Sequence, residues 1–210
     1  MHEDVLSEAL LRLIEDIPSS DFVARDFYLA GGTALALMLG HRKSNDLDFF
    51  SRADFSLDSL SKVVVDWGGQ ILSEAAGTVH SLVMDCKVSF FHYPYLLVEP
   101  PVAYRKLKVA SLDDIACMKI IAVSQRNEKK DFYDLYEILK HRTPEDLYAL
   151  LIRKYGSRRI NGYHILKSLL YFEEAEAEPD PISLNGTKWE TVKNYFMTHE
   201  PMLRKVFLKN

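Results

Sequence analysis

The most constraining feature of this chain is an Asp-x-Asp pair, Asp46 and Asp48, set among the apolar residues Leu47, Phe49 and Phe50. This alternation predicts a strand that is buried on one face. Because side chains alternate along a strand, both carboxylates would project from the other face, roughly 6–7 Å apart at the backbone. Neighbouring carboxylates repel each other unless a cation lies between them, and hard oxygen ligands suit Mg²⁺ or Mn²⁺. The pair is therefore a candidate metal site.

A glycine-rich turn, Gly31-Gly32-Thr33, precedes the acidic pair, with a short predicted helix between them. Glycines let backbone N–H groups approach a ligand closely, and the N-terminus of the following helix attracts phosphate. A phosphate-binding turn beside a carboxylate pair is the minimal arrangement for metal-assisted phosphoryl or nucleotidyl transfer. Either motif alone would more often be an ordinary turn or a solvated strand edge, so the interpretation depends on their combination.

The loop before the acidic pair, His41-Arg42-Lys43-Ser44, supplies two further nucleotide-binding candidates. Arg42 and Ser44 could bind a phosphate or orient a carboxylate at the mouth of such a site. His41 has no nucleophile paired with it, and we expect it on the surface.

Composition and charge narrow the class of protein. The 210 residues, with 48% hydrophobic and 27% charged residues, indicate a globular protein with a substantial core and no membrane-spanning run. The acidic N-terminus is unlike a secretory signal, and Cys86 and Cys117 lack metal-ligand spacing. We therefore expect a cytoplasmic protein with two buried free thiols. The net charge of −4 argues against a protein that coats nucleic acid, but a local basic face is compatible with it.

The two halves of the chain predict different elements. Residues 1–108 mix strands and helices and residues 109–210 are helical, so we expect an α+β fold with a C-terminal helical domain. In the first half we predict helices 4–17, 33–39 and 57–67 and strands 27–30, 46–51, 70–73, 78–84 and 87–93, with a hairpin turn at Asp85-Cys86. In the second half we predict helices near 111–123, 129–140, 144–155, 160–172, 187–197 and 200–208, with an exposed acidic connection over 173–186.

Two of the later helices carry charged residues on otherwise apolar faces. Lys119 lies within an apolar stripe, where it would either neutralise triphosphate charge or extend past the helix surface to water. On the next helix Asp131 and Asp134 share a face, either as a functional pair or as acids that complement the helix dipole. The dipole explains Asp131 better than Asp134. Nearby, Arg126 and Lys130 are either phosphate or acceptor contacts or a solvated basic edge.

A basic cluster follows near Gly156. Its members are Arg153, Lys154, Arg158 and Arg159. Such a cluster can contact an RNA backbone, but more often it is a solvated surface.

Together, Gly31-Gly32-Thr33, Asp46–Phe50, Lys119 and Lys130–Leu135 resemble, in order and spacing, the AbiEii/AbiGii family of abortive-infection nucleotidyltransferase toxins. This family lies within the polymerase-beta-like nucleotidyltransferase superfamily, and the resemblance spans roughly residues 25–140. It implies a nucleotidyltransferase-like mixed β-sheet core flanked by helices, followed by a C-terminal helical domain.

The resemblance also implies a role for each matching residue. Thr33 stands where the superfamily has a phosphate-binding hydroxyl, beside Gly31 and Gly32, and the Asp-x-Asp pair stands at the metal-binding carboxylates. Lys119 and Asp131 match later motifs with catalytic roles, and Asp134 extends the second motif toward the nucleotide.

One departure from the superfamily concerns a third carboxylate, which many members supply from a later strand to help activate the attacking hydroxyl. In the corresponding strand here, residues 87–91, the matching position is Ser89, and Asp85 is expected at the hairpin turn. Asp131 could substitute as the acid, deprotonation could rely on the metal alone, or activity could be lost.

The resemblance thus implies a Mg²⁺- or Mn²⁺-dependent enzyme that moves an NMP from an NTP to a hydroxyl, such as the 3′ end of a tRNA or another RNA. On resemblance alone, it would be the toxin of a toxin–antitoxin or abortive-infection system, with a cognate antitoxin as partner. The alternative is a catalytically degenerate module of the same fold that binds a nucleotide or a partner. A third possibility keeps the chemistry but uses an antibiotic or a protein side chain as acceptor.

Overall fold

The computed structural model describes residues 1–16 and 21–208, and it divides into two units, Met1–Ser111 and Leu112–Asn210. The domain boundary expected between residues 108 and 109 stays a prediction. The predicted end of the first helix at Ile17 lies outside the described residues.

The first unit is built on a seven-stranded mixed sheet with the order β3-β4-β5-β2-β1-β7-β6. Its strands are β1 Tyr28–Ala30, β2 Asp46–Ser51, β3 Gln70–Ala75, β4 Thr78–Val83, β5 Cys86–His92, β6 Val102–Tyr104 and β7 Leu107–Val109. The β2–β5 and β1–β7 pairs are parallel, and the other neighbours are antiparallel. This topology confirms the expected α+β fold with a mixed sheet.

The helices of the first unit are α1 Glu8–Asp16, α2 Asp21–Asp26, α3 Gly31–Leu39 and α4 Leu57–Asp66, with a 3₁₀ turn at Glu3–Val5. α3 ends as predicted at Gly40, whose φ of 65° is the left-handed conformation that glycine adopts without strain. On the buried face of the sheet, Phe49 and Phe90 stack with ring centroids 5.4 Å apart, and Trp67 after α4 stacks on Phe90. The opposite face of β2 carries Asp46, Asp48 and Phe50.

One prediction about the strands was wrong, and one hairpin was missed. The β4–β5 hairpin turns at Met84 and Asp85, both with positive φ, and Cys86 already pairs with Val83 in the sheet. The β6–β7 hairpin was not predicted at all. Its strands are too short, at three residues each, to show an alternating pattern.

The second unit is helical, as expected. Its helices are α5 Leu112–Arg126, α6 Lys129–Ile138, α7 Pro144–Tyr155, α8 Gly162–Leu169, α9 Glu173–Glu176, α10 Trp189–Thr198 and α11 Glu200–Phe207, with a 3₁₀ turn at Ser157–Arg159. α7 begins with a capping box between Thr143 and Asp146, and Pro144 follows the cap. α5 continues beyond the predicted end, and Asn127, with a φ of 51°, turns the chain into α6.

The acidic connection over 173–186 is largely exposed, as expected, but it is also attached to α6. The carboxylate of Glu178 accepts a hydrogen bond of 2.7 Å from the backbone N–H of Lys129. Asn185 donates to the Glu137 carboxylate at 3.0 Å, and so does Thr187 just after the connection. The segment is therefore an exposed acidic connection that also packs on α6.

Both cysteines are buried free thiols, as predicted. Burial raises the pKa of the Cys117 thiol to about 12, so this thiol is poorly nucleophilic. Among the helices within residues 1–16 and 21–208, none is long and apolar enough to span a membrane.

Candidate nucleotide site

The face of β2 that carries Asp46 and Asp48 is the accessible one. Both aspartates and Phe50 are half-buried, whereas Leu47 and Phe49 are at most 1% exposed. The predicted alternation is therefore confirmed, and the two carboxylates share one side of the sheet.

Gly31 lies directly against Asp48. Ala30, at the end of β1, pairs with Asp48 across the sheet, and α3 begins at Gly31 with a φ of +71°. A Cβ atom on Gly31 would lie 2.5 Å from Asp48 Oδ2. Glycine therefore both permits the backbone conformation and lets the carboxylate lie beside the start of α3.

Gly32, which has no side chain, likewise leaves space for side chains of the loop before β2. A Cβ atom on Gly32 would lie 2.3 Å from Arg42 Nη2 and 3.6 Å from Ser44 Oγ. Arg42 is only 5% exposed, and its Nη1 donates to the Lys43 carbonyl at 2.9 Å. The structure therefore brings the predicted residues Arg42 and Ser44 to the N-terminus of α3.

Thr33 ties α3 to the beginning of β2. Its side chain is 1% exposed, donates to the main-chain carbonyl of Asp46 and hydrogen-bonds Ser44 Oγ at 2.7 Å. The hydroxyl thus positions the acidic pair relative to the turn, and a direct contact of Thr33 with phosphate stays a prediction. His41, at 2% exposure, is buried, so its expected surface position was wrong.

The N-terminus of α3 is suited to an anion. The N-cap residue is Ala30, so no side chain at that position can cap the first-turn N–H groups. These are the groups that bind phosphate at a helix N-terminus. The start of α3 at Gly31 and Gly32 therefore lies next to the Asp48 carboxylate.

In β5, the strand beside β2, Ser89 lies at the position where the family resemblance would place a third carboxylate. Ser89 of β5 pairs with Asp48 and is 1% exposed, and Asp85 lies in the exposed turn. His80 of β4 pairs with Ser89, and its Nδ1 lies 2.9 Å from Ser89 Oγ. The sequence interpretation missed His80, because a turn at Asp85-Cys86 would have set Leu82 opposite Ser89.

The acidic pair fits a divalent cation that a nucleotide helps to bind. Within residues 1–16 and 21–208, no group of three or more His, Cys, Asp or Glu side chains is placed to hold a metal ion. Mg²⁺ is often held by one or two carboxylates, with phosphate oxygens and water completing the octahedron. Two half-buried carboxylates beside a glycine-rich helix start match that donor set.

The second unit contains a separate buried cluster of charged residues. Lys119 Nζ lies 2.8 Å from Asp131 Oδ1 and 2.6 Å from Asp134 Oδ2, and all three side chains are at most 4% exposed. Arg126 donates to both oxygens of Asp131, from Nε at 2.8 Å and from Nη2 at 3.0 Å. The two cations and two carboxylates balance in formal charge.

This cluster excludes one of the alternatives for Lys119 and leaves the functional roles of these residues as predictions. Lys119 does not extend to water, since its ammonium is bound by two buried carboxylates. Burial raises the pKa of Asp131, but the Lys119 ammonium and the Arg126 guanidinium outweigh that effect and hold the pKa below its usual range. Asp131 is therefore an ionised partner of two cations, a more specific role than complementing the helix dipole.

The basic cluster near Gly156 is smaller than the sequence suggested. Lys154 Nζ lies 2.6 Å from Asp114 Oδ1, and neither side chain is exposed. Arg153, Arg158 and Arg159 are exposed. Lys154 is thus a buried ion-pair partner, and the exposed basic residues are the arginines.

A mixed sheet that presents an acidic pair next to a glycine-rich helix start defines a nucleotidyltransferase fold. The family described as "Nucleotidyl transferase AbiEii toxin, Type IV TA system" matches residues 12–207. The chain therefore belongs to the AbiEii family of nucleotidyltransferase toxins, which confirms the resemblance seen in the sequence.

Relatives and solved structures agree with this assignment. The uncharacterized protein aq_aa25 of Aquifex aeolicus (strain VF5) is 40% identical over 185 residues, which cover 83% of this chain and 86% of that protein. JHP933 from Helicobacter pylori has a similar structure, with 19% identity, a TM-score of 0.56 and coverage of 95% of this chain and 94% of that chain. MenT4, a nucleotidyltransferase toxin from Mycobacterium tuberculosis H37Rv, shares 14% identity with a TM-score of 0.54, over 95% and 92% of the two chains. At these identities the two structures show a common fold.

Proposed function

We propose that this protein is a metal-dependent nucleotidyltransferase that moves an NMP from an NTP to a hydroxyl acceptor. The observation that carries the proposal is the placement of Asp48 against Gly31, with Asp46 on the same face of β2. This places a carboxylate pair beside a helix N-terminus, where a triphosphate and its cation can be bound together.

In this proposal, different residues of the first unit bind different parts of the nucleotide. The N–H groups of Gly31 and Gly32 would receive the β- and γ-phosphates, and Arg42 and Ser44 would contact phosphate oxygens from the preceding loop. Asp46 and Asp48 would hold Mg²⁺ or Mn²⁺, which when bound neutralises triphosphate charge and polarises the attacked phosphorus. The Thr33 hydroxyl would hold the glycine-rich turn and the acidic pair in fixed positions relative to each other.

The reaction itself is a displacement at the α-phosphorus. The acceptor oxygen loses its proton and forms a bond to the α-phosphorus, while the bond to the β-phosphate oxygen breaks and pyrophosphate leaves with the electron pair. Positioning and charge stabilisation supply most of the rate enhancement in such transfers.

The charged cluster of the second unit is part of the proposal. We assign catalytic roles to Lys119 and Asp131 and a nucleotide-binding role to Asp134. Burying the three charged side chains of Lys119, Asp131 and Asp134 brings a large desolvation penalty, and strongly perturbed ionisable groups concentrate at functional sites. In the structure Lys119 is neutralised by Asp131 and Asp134.

The acceptor and the partners are proposed from the family. An RNA acceptor, such as the 3′ end of a tRNA, is supported by the exposed arginines Arg153, Arg158 and Arg159. A type IV toxin is expected to have a cognate antitoxin protein, and we include abortive infection and a cytoplasmic location in the same proposal.

A transfer assay tests this function. Wild-type protein is incubated with each α-labelled NTP, Mg²⁺ and either purified tRNA or total RNA, and labelled products are identified by mass. We expect labelled RNA from the wild type and a loss of about 100-fold or more in Asp46→Asn and Asp48→Asn. Asp66→Asn, an exposed position at the end of α4, is the matched control and should keep wild-type activity. Equal products from the wild type and both site variants would contradict the proposal.

Ser89 favours one rival, a module that binds a nucleotide without turnover. A serine stands at the position of the third carboxylate and is hydrogen-bonded within the sheet. Tight binding of a non-hydrolysable NTP, together with no labelled product on RNA, protein or small-molecule acceptors, would support this rival.

A further inference from the structure

A polar row crosses the sheet next to the acidic pair. Asp48 of β2 pairs with Ser89 of β5, and Ser89 pairs with His80 of β4. Directly paired residues on neighbouring strands project from the same face of a sheet. Asp48, Ser89 and His80 therefore point to the same side, which is the side of the proposed nucleotide site.

The imidazole of His80 is held from β5. Its Nδ1 lies 2.9 Å from Ser89 Oγ, and its ring makes an edge contact with Phe91, with centroids 5.8 Å apart at an interplanar angle of 76°. Ser89 is short, so it does not fill the volume that a longer carboxylate side chain would occupy above β5, and its 1% exposure shows that neighbouring groups cover it. The half-buried imidazole approaches that space from the next strand.

We propose that His80 accepts the proton of the attacking hydroxyl and that Ser89 positions its ring. This inference rests on the proposed function and extends it to the step that the missing third carboxylate leaves open. With the Nδ1–H donated to Ser89 Oγ, the Nε2 lone pair is the proton acceptor. The O–H bond of the acceptor breaks, its proton moves to Nε2, and the freed electron pair forms the bond to the α-phosphorus as pyrophosphate departs. The imidazolium then returns its proton to water.

Other groups on this face are poorer proton acceptors. On β2 and β5, the charged side chains that share the face with His80 are Asp46, Asp48 and Lys87. Lys108 of β7 lies on the same face, and its ammonium donates to the Arg25 carbonyl. The carboxylates are assigned to the metal, and a protonated lysine has no lone pair to accept a proton. A neutral imidazole, by contrast, can take and release a proton near neutral pH.

The test replaces the imidazole and then supplies the missing base in two ways. His80→Ala should lower the rate of transfer by about 100-fold, a usual size for the loss of a general base, while Mg²⁺-NTP binding measured by calorimetry stays unchanged. Added imidazole should restore transfer to His80→Ala. Ser89→Asp, introduced into the His80→Ala protein, should restore it independently by providing a carboxylate at the superfamily position.

Ser89→Ala and His92→Ala complete the design. Ser89→Ala should lower the rate less than His80→Ala does, because the imidazole stays but its orientation is lost. His92, another half-buried histidine of the same sheet, is paired with Asp54 at 3.0 Å, and His92→Ala should leave transfer unchanged.

Each outcome separates this inference from the proposed function. An active wild type that is inactivated by Asp48→Asn but not by His80→Ala would overturn the inference alone. If neither imidazole nor Ser89→Asp restores transfer to His80→Ala, the histidine is structural and the inference is overturned. The same holds if the loss of transfer follows a loss of nucleotide binding. A wild type without transfer on any acceptor would overturn both.

Discussion

Asp48 and Gly31 are packed so closely that one added carbon on Gly31 would stand 2.5 Å from Asp48 Oδ2. The acidic pair and the glycine-rich turn are therefore one structural unit, joined by the antiparallel β1–β2 pairing of Ala30 with Asp48.

Gly31→Ala should disturb both the fold and the site. The substitution places a side chain at a φ of +71° and pushes the Asp48 carboxylate away. We expect a loss of about 2 kcal/mol or more in the free energy of unfolding and a marked loss of nucleotide binding, measured by denaturation and calorimetry. Gly68→Ala is a matched control, since Gly68 has a φ of +72° and no atom within 4 Å of an added Cβ. If both variants lose the same stability and neither loses nucleotide binding, the close approach of Gly31 to Asp48 is not needed for nucleotide binding.

Lys154→Met should be strongly destabilising because it leaves Asp114 as a buried charge without its ammonium partner. Breaking such a pair typically costs about 3–5 kcal/mol, and the double variant Lys154→Met, Asp114→Asn should recover part of the loss. Urea denaturation measures both. Arg204→Met, which removes an exposed ion pair with Glu200, should change stability by less than about 1 kcal/mol. A Lys154→Met protein as stable as Arg204→Met would contradict the buried pairing.

Asp131 predicts a specific dependence of stability on pH. Its pKa is lower in the folded state than in the unfolded state, where it is about 3.9. Its ionic contribution to stability is therefore complete above the unfolded pKa and is lost as the pH falls toward the folded pKa. Consequently Asp131→Asn should destabilise the protein more at pH 7 than at pH 3, as measured by denaturant unfolding at both pH values. An equal loss at the two pH values would mean that Asp131 acts through packing and not through its charge.

The first half of the site was predictable because it depends on local patterns. Alternation in β2 determines which way Asp46 and Asp48 point, and two consecutive glycines before a helix indicate a close approach of the backbone. The sequence could not show that Asp48 is what approaches Gly31, because that contact depends on the pairing of β1 with β2.

The remaining parts of the site depend on tertiary placement. A helical pattern can locate Lys119 on an apolar face, but its partner Asp131 is set by the turn at Asn127. The pairing of His80 with Ser89 was hidden because a one-residue error in a hairpin turn changes every cross-strand partner. The β6–β7 strands carried too few residues to show a period.

Calorimetry of a non-hydrolysable NTP, with and without Mg²⁺, tests most directly whether Asp46 and Asp48 bind a cation together with a triphosphate. We expect Mg²⁺ to strengthen binding to the wild type and to Asp66→Asn by about tenfold or more, and this gain should vanish in Asp46→Asn and Asp48→Asn. The account would be contradicted if Mg²⁺ did not change the affinity of the wild type for the NTP. It would also be contradicted if Mg²⁺ still strengthened binding in both site variants.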